Sequence, residues 1–235
     1  MSKANHISKV VAIDGPAGAG KSSVTKLVSK KLNLLYIDTG SMFRALAYMA
    51  HSNSVAFIEG PEMSHFLVNL KMEYSSDQSK LIIVNGENLS SKIREHYVSE
   101  LASKISSIPS VRLFLLDFQR RLVQDQVAVM EGRDIGTVVF PDAFCKIFLS
   151  ASFDVRAKRR MEELKTKGQT DLNYDAILKD IKDRDERDRT RDIAPLIQAD
   201  DAIVVDSSSK TMEEVVDDIV LIVRTQAQKK NISLI

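Results

Sequence analysis

The sequence predicts an α/β fold in which a five-stranded parallel sheet is flanked by helices. Short apolar runs, which are typical of buried parallel strands, recur at residues 10–13, 34–37, 127–130, 146–149 and 202–205. Helical patterns fill most of the intervals between them. Strands that alternate with helices form a parallel sheet with helices on both of its faces. This alternation is the basis of the predicted fold.

The predicted helices occupy residues 21–31, 41–50 and 110–124, and basic helices follow Asp154. The last helix begins at Thr211, which forms a capping box with Glu214 ahead of an apolar pattern. Four of the five strands run into an acidic residue within a position or so, and these residues are Asp14, Asp38, Glu131 and Asp206. Ligands of such folds bind at the carboxyl ends of the strands, where these residues are expected.

One stretch breaks the alternation of strands and helices. Residues 70–74 and 80–84 look like the arms of a hairpin, and Asn85-Gly86 predicts a tight turn that leads to a third short strand. We therefore predict that residues 62–105 form an inserted subdomain outside the central sheet.

The composition predicts one globular domain that binds small solutes. The 235 residues are 44% hydrophobic, which suffices for one sizeable core, and the net charge of +1 does not favour nucleic acid or an anionic membrane as a partner. The single cysteine, Cys145, cannot form an intrachain disulfide, and no apolar run has the length of a signal-peptide core or a membrane span. A cytoplasmic protein is expected.

The most specific motif follows the first strand. Residues 10–23 read V-V-A-I-D-G-P-A-G-A-G-K-S-S and contain a G-x-x-x-x-G-K-[ST] loop from Gly15 to Ser22. In such a loop the backbone amides and the helix N-terminus bind phosphate, Lys21 reaches the β- and γ-phosphates, and Ser22 ligates the Mg²⁺ that they carry. The alternative is a glycine-rich turn with a stray lysine, but the strand before it and the helix after it favour a phosphate site.

Two further motifs place arginines at strand ends. Arg44 stands in D-T-G-S-M-F-R, about one turn into the second helix, and Arg133 with Asp134 stands in M-E-G-R-D-I-G-T after the third strand. A guanidinium can bind a phosphate bidentately and stays charged at any working pH. Each arginine alone would more often form a surface salt bridge, whereas their shared placement beside a phosphate loop favours phosphate binding.

The segment 179–192, K-D-I-K-D-R-D-E-R-D-R-T-R-D, has two interpretations that its spacing leaves open. One is a solvated helix stabilised by i,i+4 pairs, such as Asp185 with Arg189. The other is part of a lid that closes over phosphates. For the lid, Arg184, Asp188 and Arg191 fall on one helical face before a helix-ending Pro195, and the preceding basic helix carries Arg156, Arg159 and Arg160.

Four motifs together resemble the bacterial cytidylate kinases, which are P-loop nucleoside monophosphate kinases. They are G-P-A-G-A-G-K-S-S, D-T-G-S-M-F-R, E-G-R-D-I-G-T-V-V-F-P-D-A and R-D-x-R-D-x-x-R-x-x-A-P-L, in the family's order over nearly the whole chain. The resemblance implies a single adenylate-kinase-like P-loop NTPase domain with a core (1–61, 106–153 and 193–235), an acceptor-binding insert (62–105) and a short lid (154–192). It also implies phosphorylation of CMP and dCMP by ATP with Mg²⁺, and a monomer is expected.

The resemblance also implies roles for individual residues. The ATP-binding loop would be Gly15, Pro16, Ala17, Gly18, Ala19, Gly20, Lys21, Ser22 and Ser23, with Ser22 on the metal. The CMP-binding set would comprise Thr39, the phosphate-binding Arg44, Arg133 and Arg191, the cytosine-reading Ser103, Arg112 and Asp134, and the sugar-binding Arg184 and Asp188. Catalysis would rest on Lys21, Arg133, Arg159 and Arg191. The chain departs from the pattern at Thr39, where some members have serine, at Phe43, where tyrosine is common, and by one extra residue within 169–172.

Two alternatives are weighed against this prediction. A related kinase could act on another nucleoside monophosphate or on a small metabolite, because spacing alone does not identify cytosine. A switch GTPase or a transporter-type ATPase would share the phosphate loop. The sequence contains neither the N-K-x-D and D-x-x-G motifs of the former nor the L-S-G-G-Q of the latter.

Overall fold

The computed structural model describes residues 7–75, 77, 79, 81–123, 126–166 and 168–234. Lys80 and Gln124, where we predicted one strand to begin and one helix to end, lie outside this part of the chain. The described β-strands and α-helices, in chain order, are β1 (Ser8–Asp14), α1 (Lys21–Leu32), β2 (Leu35–Asp38), α2 (Thr39–Ser52), α3 (Pro61–Val68), β3 (Met72–Tyr74), β4 (Ile82–Val84), β5 (Glu87–Asn88), α4 (His96–Ile105), α5 (Pro109–Arg121), β6 (Ala128–Gly132), β7 (Ala143–Ser150), α6 (Phe153–Thr166), α7 (Tyr174–Thr190), β8 (Ile203–Asp206) and α8 (Met212–Lys229).

The predicted α/β fold is confirmed. Five strands form one sheet in the order β2-β6-β1-β7-β8, and β1 pairs in parallel with both β6 and β7. In this register Val11 lies opposite Val129 on one side and Cys145 on the other. The run from Val10 to Ile13 is fully buried, as its unbroken apolar sequence requires for a strand inside a covered sheet.

The chain divides into two compact units, Met1–Tyr36 with Asp125–Ile235, and Ile37–Gln124. In the first unit, α1 and α8 bury their apolar residues, including Val24, Val28, Ile219 and Val223, in one core with the central strands. The capping box of α8 is present as predicted, because the Glu214 carboxylate accepts a bond from the Thr211 N–H at 2.8 Å. Among the described residues, no helix is both long and apolar enough for a membrane span.

Helices α6 and α7 share a small apolar core of their own, formed by Ala157, Leu164, Ile177 and Ile181. One expectation is wrong here: α7 ends at Thr190, so Arg191 does not continue the helical face of Arg184 and Asp188. The physical reason is that the chain turns back before Pro195. The Leu196 N–H donates to the Asp188 carbonyl at 2.7 Å, which leaves Arg191 in an extended conformation.

The second unit contains the predicted hairpin and its third strand as an antiparallel sheet, β3-β4-β5. Asn85 and Gly86 join β4 to β5 with φ values of 51° and 83°, the left-handed pair that a two-residue hairpin turn needs. The predicted insert, 62–105, lies inside this unit. The finer division of the chain into core, insert and lid stays a prediction.

Candidate active site

The phosphate loop connects β1 to α1, and its shape depends on glycine. A Cβ atom at Gly15 would lie 2.1 Å from the Leu149 carbonyl oxygen, so no side chain fits there. Gly18 and Gly20 have φ values of 75° and 90°, in the left-handed region that other residues avoid. The loop therefore has the strand, turn and helix context that the motif predicts.

Lys21 begins α1 and is buried inside this loop. Its ammonium donates hydrogen bonds to the carbonyl oxygens of Gly15 at 2.8 Å and Pro16 at 2.7 Å. Burial and the neighbouring Arg133 guanidinium lower the pKa of Lys21 well below its usual range, although Glu131 acts in the opposite direction. A bound polyanion would stabilise these crowded positive charges, so the site is electrostatically suited to phosphate.

The residues beside Lys21 fit a magnesium ion. The Ser22 hydroxyl donates to Glu131 Oε2 at 2.9 Å, and the Tyr36 hydroxyl donates to Oε1 at 2.6 Å. A hydroxyl and a carboxylate that lie together supply the oxygen ligands that Mg²⁺ prefers. The sequence marks Glu131 only as an acidic residue at a strand end, because the contact with Ser22 joins residues 109 positions apart.

A cluster of arginines and aspartates lies after β6 and at the end of α7. Arg133 Nε donates to Asp188 Oδ2 at 2.9 Å. Arg191 Nη2 lies 3.7 Å from Asp134 Oδ1, and Arg191 Nη1 lies 4.0 Å from Asp188 Oδ1. Four candidate site residues from two distant sequence motifs are thus brought together in one unit.

Asp188 stays ionised within this cluster. Burial alone would raise the pKa of its carboxyl, but the positive charges of Arg133 and Arg184 outweigh burial and hold the pKa below its usual value. An ionised carboxylate accepts hydrogen bonds only. Asp188 can therefore orient the guanidinium groups or accept a hydrogen bond from a hydroxyl group of a ligand.

Arg159, on α6, lies against the phosphate loop. Its Nη1 donates to the Ser207 hydroxyl at 2.9 Å and to the Ala19 carbonyl at 3.3 Å, and its Nη2 donates to the Ser207 carbonyl at 2.8 Å. A Cβ atom at Gly20 would lie 3.8 Å from Arg159 Nη1. The guanidinium is thus close to the loop that the sequence assigns to ATP.

Arg156, also on α6, has structural contacts that its sequence spacing does not predict. Its guanidinium is buried, donates to the Ala17 carbonyl at 2.9 Å and lies 2.8 Å from Asp185 Oδ2. Spacing along α7 makes Asp185 a candidate i,i+4 partner of Arg189, but the ion pair that Asp185 makes is with Arg156. The pair ties α7 and the phosphate loop to α6.

We expect Asp185→Ala to destabilise the protein by about 3 kcal/mol, because it leaves the buried Arg156 charge without its carboxylate. Urea unfolding followed by circular dichroism measures the change. The matched control is Glu163→Ala, which removes the exposed partner of Arg160 on the same helix pair and should cost less than about 1 kcal/mol. Equal effects of the two changes would contradict the structural role of Asp185.

Asp14 is a buried carboxylate at the carboxyl end of β1, directly before the loop. Burial raises its pKa from the ordinary value of 3.8 to about 6, against the lowering effect of hydrogen bonds from the backbone of Gly136 and Ile135. The sequence identifies Asp14 only as one of the acidic strand ends. Its bonding partners lie more than a hundred residues away, where no spacing rule could find them.

The raised pKa of Asp14 predicts a specific dependence of stability on pH. Between its unfolded pKa of 3.8 and its folded pKa of about 6, the native state binds more protons than the unfolded state, so stability falls as pH rises. Relative to Asp14→Asn, which cannot titrate, the wild type should lose about 2 kcal/mol between pH 4 and pH 7. Urea unfolding of both proteins across this pH range tests the prediction. A difference between their free energies of unfolding that does not change with pH would contradict the raised pKa of Asp14.

In the second unit, Asp38 organises the start of α2. Its carboxylate accepts a bond from the Ser41 N–H at 3.0 Å and from Arg44 Nη2 at 2.8 Å. Thr39, the first residue of α2, is buried. Arg44 is thus held near the carboxyl end of β2, one turn into the helix as the sequence predicts.

Ser103 and Arg112, the other acceptor candidates of this unit, are linked through Ser106. The Ser106 hydroxyl donates to the Ser103 carbonyl at 2.8 Å, and Arg112 Nη1 donates to the Ser106 carbonyl at 3.0 Å. The Arg112 guanidinium also lies over the Phe43 ring, 5.4 Å from its centre. Among the described residues the buried Ser103 hydroxyl has no hydrogen-bond partner, so it is available to a ligand.

This chain is similar to known proteins of one family. The family model described as cytidylate kinase matches residues 11–225. A cytidylate kinase of Pseudothermotoga lettingae is 46% identical over 210 residues, which cover 89% of this chain and 92% of that protein. A bifunctional pantoate ligase/cytidylate kinase of Prochlorococcus marinus is 43% identical over 215 residues, which are 91% of this chain but 42% of that protein.

A solved structure supports the fold alone. An uncharacterized protein from Eubacterium ventriosum superposes with a TM-score of 0.51 at 13% identity, over 94% of this chain and 99% of that one. The family match extends further, since it spans both the phosphate loop and the arginine cluster. This chain therefore belongs to the cytidylate kinase family.

Proposed function

We propose that this chain transfers the γ-phosphoryl group of ATP to CMP and dCMP, giving ADP with CDP or dCDP. The observation that carries the proposal is the arginine cluster in the same unit as the phosphate loop: Arg133, Asp188, Arg191 and Asp134 converge there, while the Arg133 charge acts on the buried Lys21. An ATPase without an acceptor would leave this cluster unexplained. The match to the cytidylate kinase family, and the relative that is named a cytidylate kinase, support the same reaction.

The donor side would be the loop from Gly15 to Ser23. Its amides and the N-terminus of α1 would hold the ATP phosphates, and Lys21 would exchange its carbonyl partners for phosphate oxygens. Ser22 and Glu131 would hold Mg²⁺, which supplies positive charge against the triphosphate. Arg159 would add charge stabilisation from α6.

The acceptor side would hold the CMP phosphate with Arg44, Arg133 and Arg191. The nucleophile is an oxygen of that phosphate, which is largely ionised at neutral pH because its second pKa is about 6. No general base is therefore required. The protein's task is to align two polyanions and to stabilise charge on the transferring group.

The nucleoside would be recognised by residues that can hydrogen-bond its polar edges. Ser103, Arg112 and Asp134 would read cytosine. The Ser103 hydroxyl, which finds no hydrogen-bond partner in the described part of the chain, supports its part in this. Arg184 and Asp188 would contact the sugar, while Thr39 would complete the CMP-binding set. The insert (62–105) would bind the acceptor, and the lid (154–192) would exclude water from the reacting groups. The enzyme would be monomeric and cytoplasmic.

The test is ADP production from ATP with Mg²⁺, measured with CMP, dCMP, UMP, AMP, GMP or no acceptor. CMP and dCMP should give far more ADP than the other conditions, and EDTA should abolish turnover. A larger rate with another monophosphate would favour the alternative acceptor. ADP that forms equally well without any acceptor would contradict a kinase.

A further inference from the structure

The Asp14 carboxylate bonds to a part of the chain that lies 121 and 122 positions away. Its Oδ1 accepts a bond from the Ile135 N–H at 2.9 Å, and its Oδ2 accepts one from the Gly136 N–H at 2.8 Å. Both carboxylate oxygens are thus used, one for each amide. Asp14 is 5% exposed, so water does not compete for these bonds.

The two amides begin an unusual turn. Residues 135–139 form a single π-helical turn, in which the Val139 N–H donates to the Asp134 carbonyl at 3.1 Å and the Phe140 N–H to the Ile135 carbonyl at 2.7 Å. The first amides of any helix lack partners within it. The residue before the turn makes no side-chain capping bond to it, and Asp14 supplies acceptors from β1 for the first two amides.

The turn lies in direct contact with Asp14 and with the Lys146 side chain. A Cβ atom at Gly136 would lie 3.5 Å from Asp14 Oδ2 and 3.1 Å from the Lys146 side chain. Asp14 also precedes Gly15, the first residue of the phosphate loop, and Arg133 with Asp134 precedes the capped turn. One side chain therefore joins the start of the donor loop to the residues proposed for the acceptor.

We propose that Asp14 is a positioning residue that sets Arg133 and Asp134 in register with the phosphate loop. The inference rests on the proposed function, because it assigns Asp14 a part in aligning donor and acceptor. Asp14 itself would touch neither substrate. A misplacement of reacting groups by about 1 Å can lower a rate about 100-fold. Loss of the two bonds should therefore slow phosphorylation of the acceptor, while the ATP-binding loop keeps its shape.

The first test is Asp14→Asn, measured by steady-state kinetics and by ATP binding. An amide has one acceptor oxygen, so its NH₂ group would face an Ile135 or Gly136 N–H, and the turn should move. We expect kcat/KM for CMP to fall about 100-fold and the preference for CMP over UMP to fall with it. The dissociation constant of ATP should change by less than about threefold, which also reports an intact fold.

Two further variants separate positioning from a general effect of the substitution. Gly136→Ala keeps the Asp14 carboxylate and both of its bonds, and its Cβ would press only on the flexible Lys146 side chain, so all constants should stay close to those of the wild type. Asp217→Asn makes the identical chemical change at an exposed site on α8 that pairs with Lys31, and it should leave all constants unchanged. A parallel loss of ATP affinity and CMP turnover in Asp14→Asn, or no loss in either, would overturn the proposal.

A readout that needs no catalysis keeps the two proposals apart. Amide hydrogen exchange at Ile135 and Gly136 should be slow in the wild type and at least tenfold faster in Asp14→Asn. If the wild type fails to phosphorylate CMP, the proposed function fails, and unaltered exchange would separately overturn the role of Asp14. If the wild type is active and exchange is unaltered, only the role of Asp14 is contradicted.

Discussion

Lys21→Ala should reduce kcat for ATP-dependent phosphorylation of CMP by about 100- to 1000-fold, while the protein stays folded. The ammonium is placed to meet charge that develops on the transferring phosphoryl group, and no other lysine occupies the loop. The fold should tolerate the change, because burial next to Arg133 already disfavours the charged lysine. Alanine is also a good helix former for the first turn of α1.

The measurement is ADP release in a coupled assay, with thermal unfolding as the check on folding. Lys30→Ala is the matched control and should keep full activity, since Lys30 is an exposed residue in the last turn of the same helix. Lys21→Arg should not restore turnover, because a planar guanidinium cannot replace a compact ammonium inside the loop. If Lys21→Ala phosphorylated CMP at the rate of the wild type, the assignment of this loop to ATP would be contradicted.

Asp134→Ala should reduce the preference for CMP over UMP about 100-fold and leave the KM for ATP within about twofold. Cytosine presents an amino donor where uracil presents a carbonyl acceptor, and a buried carboxylate accepts only from the former. Asp134 is buried, 3.7 Å from Arg191. Arg191 keeps its bond to the Ala194 carbonyl in the variant, so its guanidinium should stay in place.

The measurement is the ratio of kcat/KM for the two acceptors at saturating ATP. Asp217→Ala serves as the control for loss of an exposed aspartate on α8. A loss that is equal for CMP and UMP would show that Asp134 supports the acceptor site without reading the base. A larger change in the KM for ATP than in the ratio of kcat/KM for CMP and UMP would indicate that Asp134 acts on the ATP side of the site.

Much of this protein could be predicted from local sequence. The apolar runs identified the five strands of the central sheet. The phosphate loop could be identified from its sequence because the positive φ angles of Gly18 and Gly20 are a local requirement for glycine. The Thr211–Glu214 capping box and the Asn85-Gly86 turn also depend on neighbours along the chain.

Only the tertiary structure decided which distant groups bond to one another. Glu131 meets Ser22, Asp14 meets the turn after Asp134, and Asp185 meets Arg156, all at separations that no sequence period encodes. The end of α7 was mispredicted for a related reason, since the bond from Leu196 to Asp188 stops the helix before proline does. Local propensities determined the elements and the loop of this protein, whereas pairing of buried charges and carbonyls across the folded chain determined the geometry of the site.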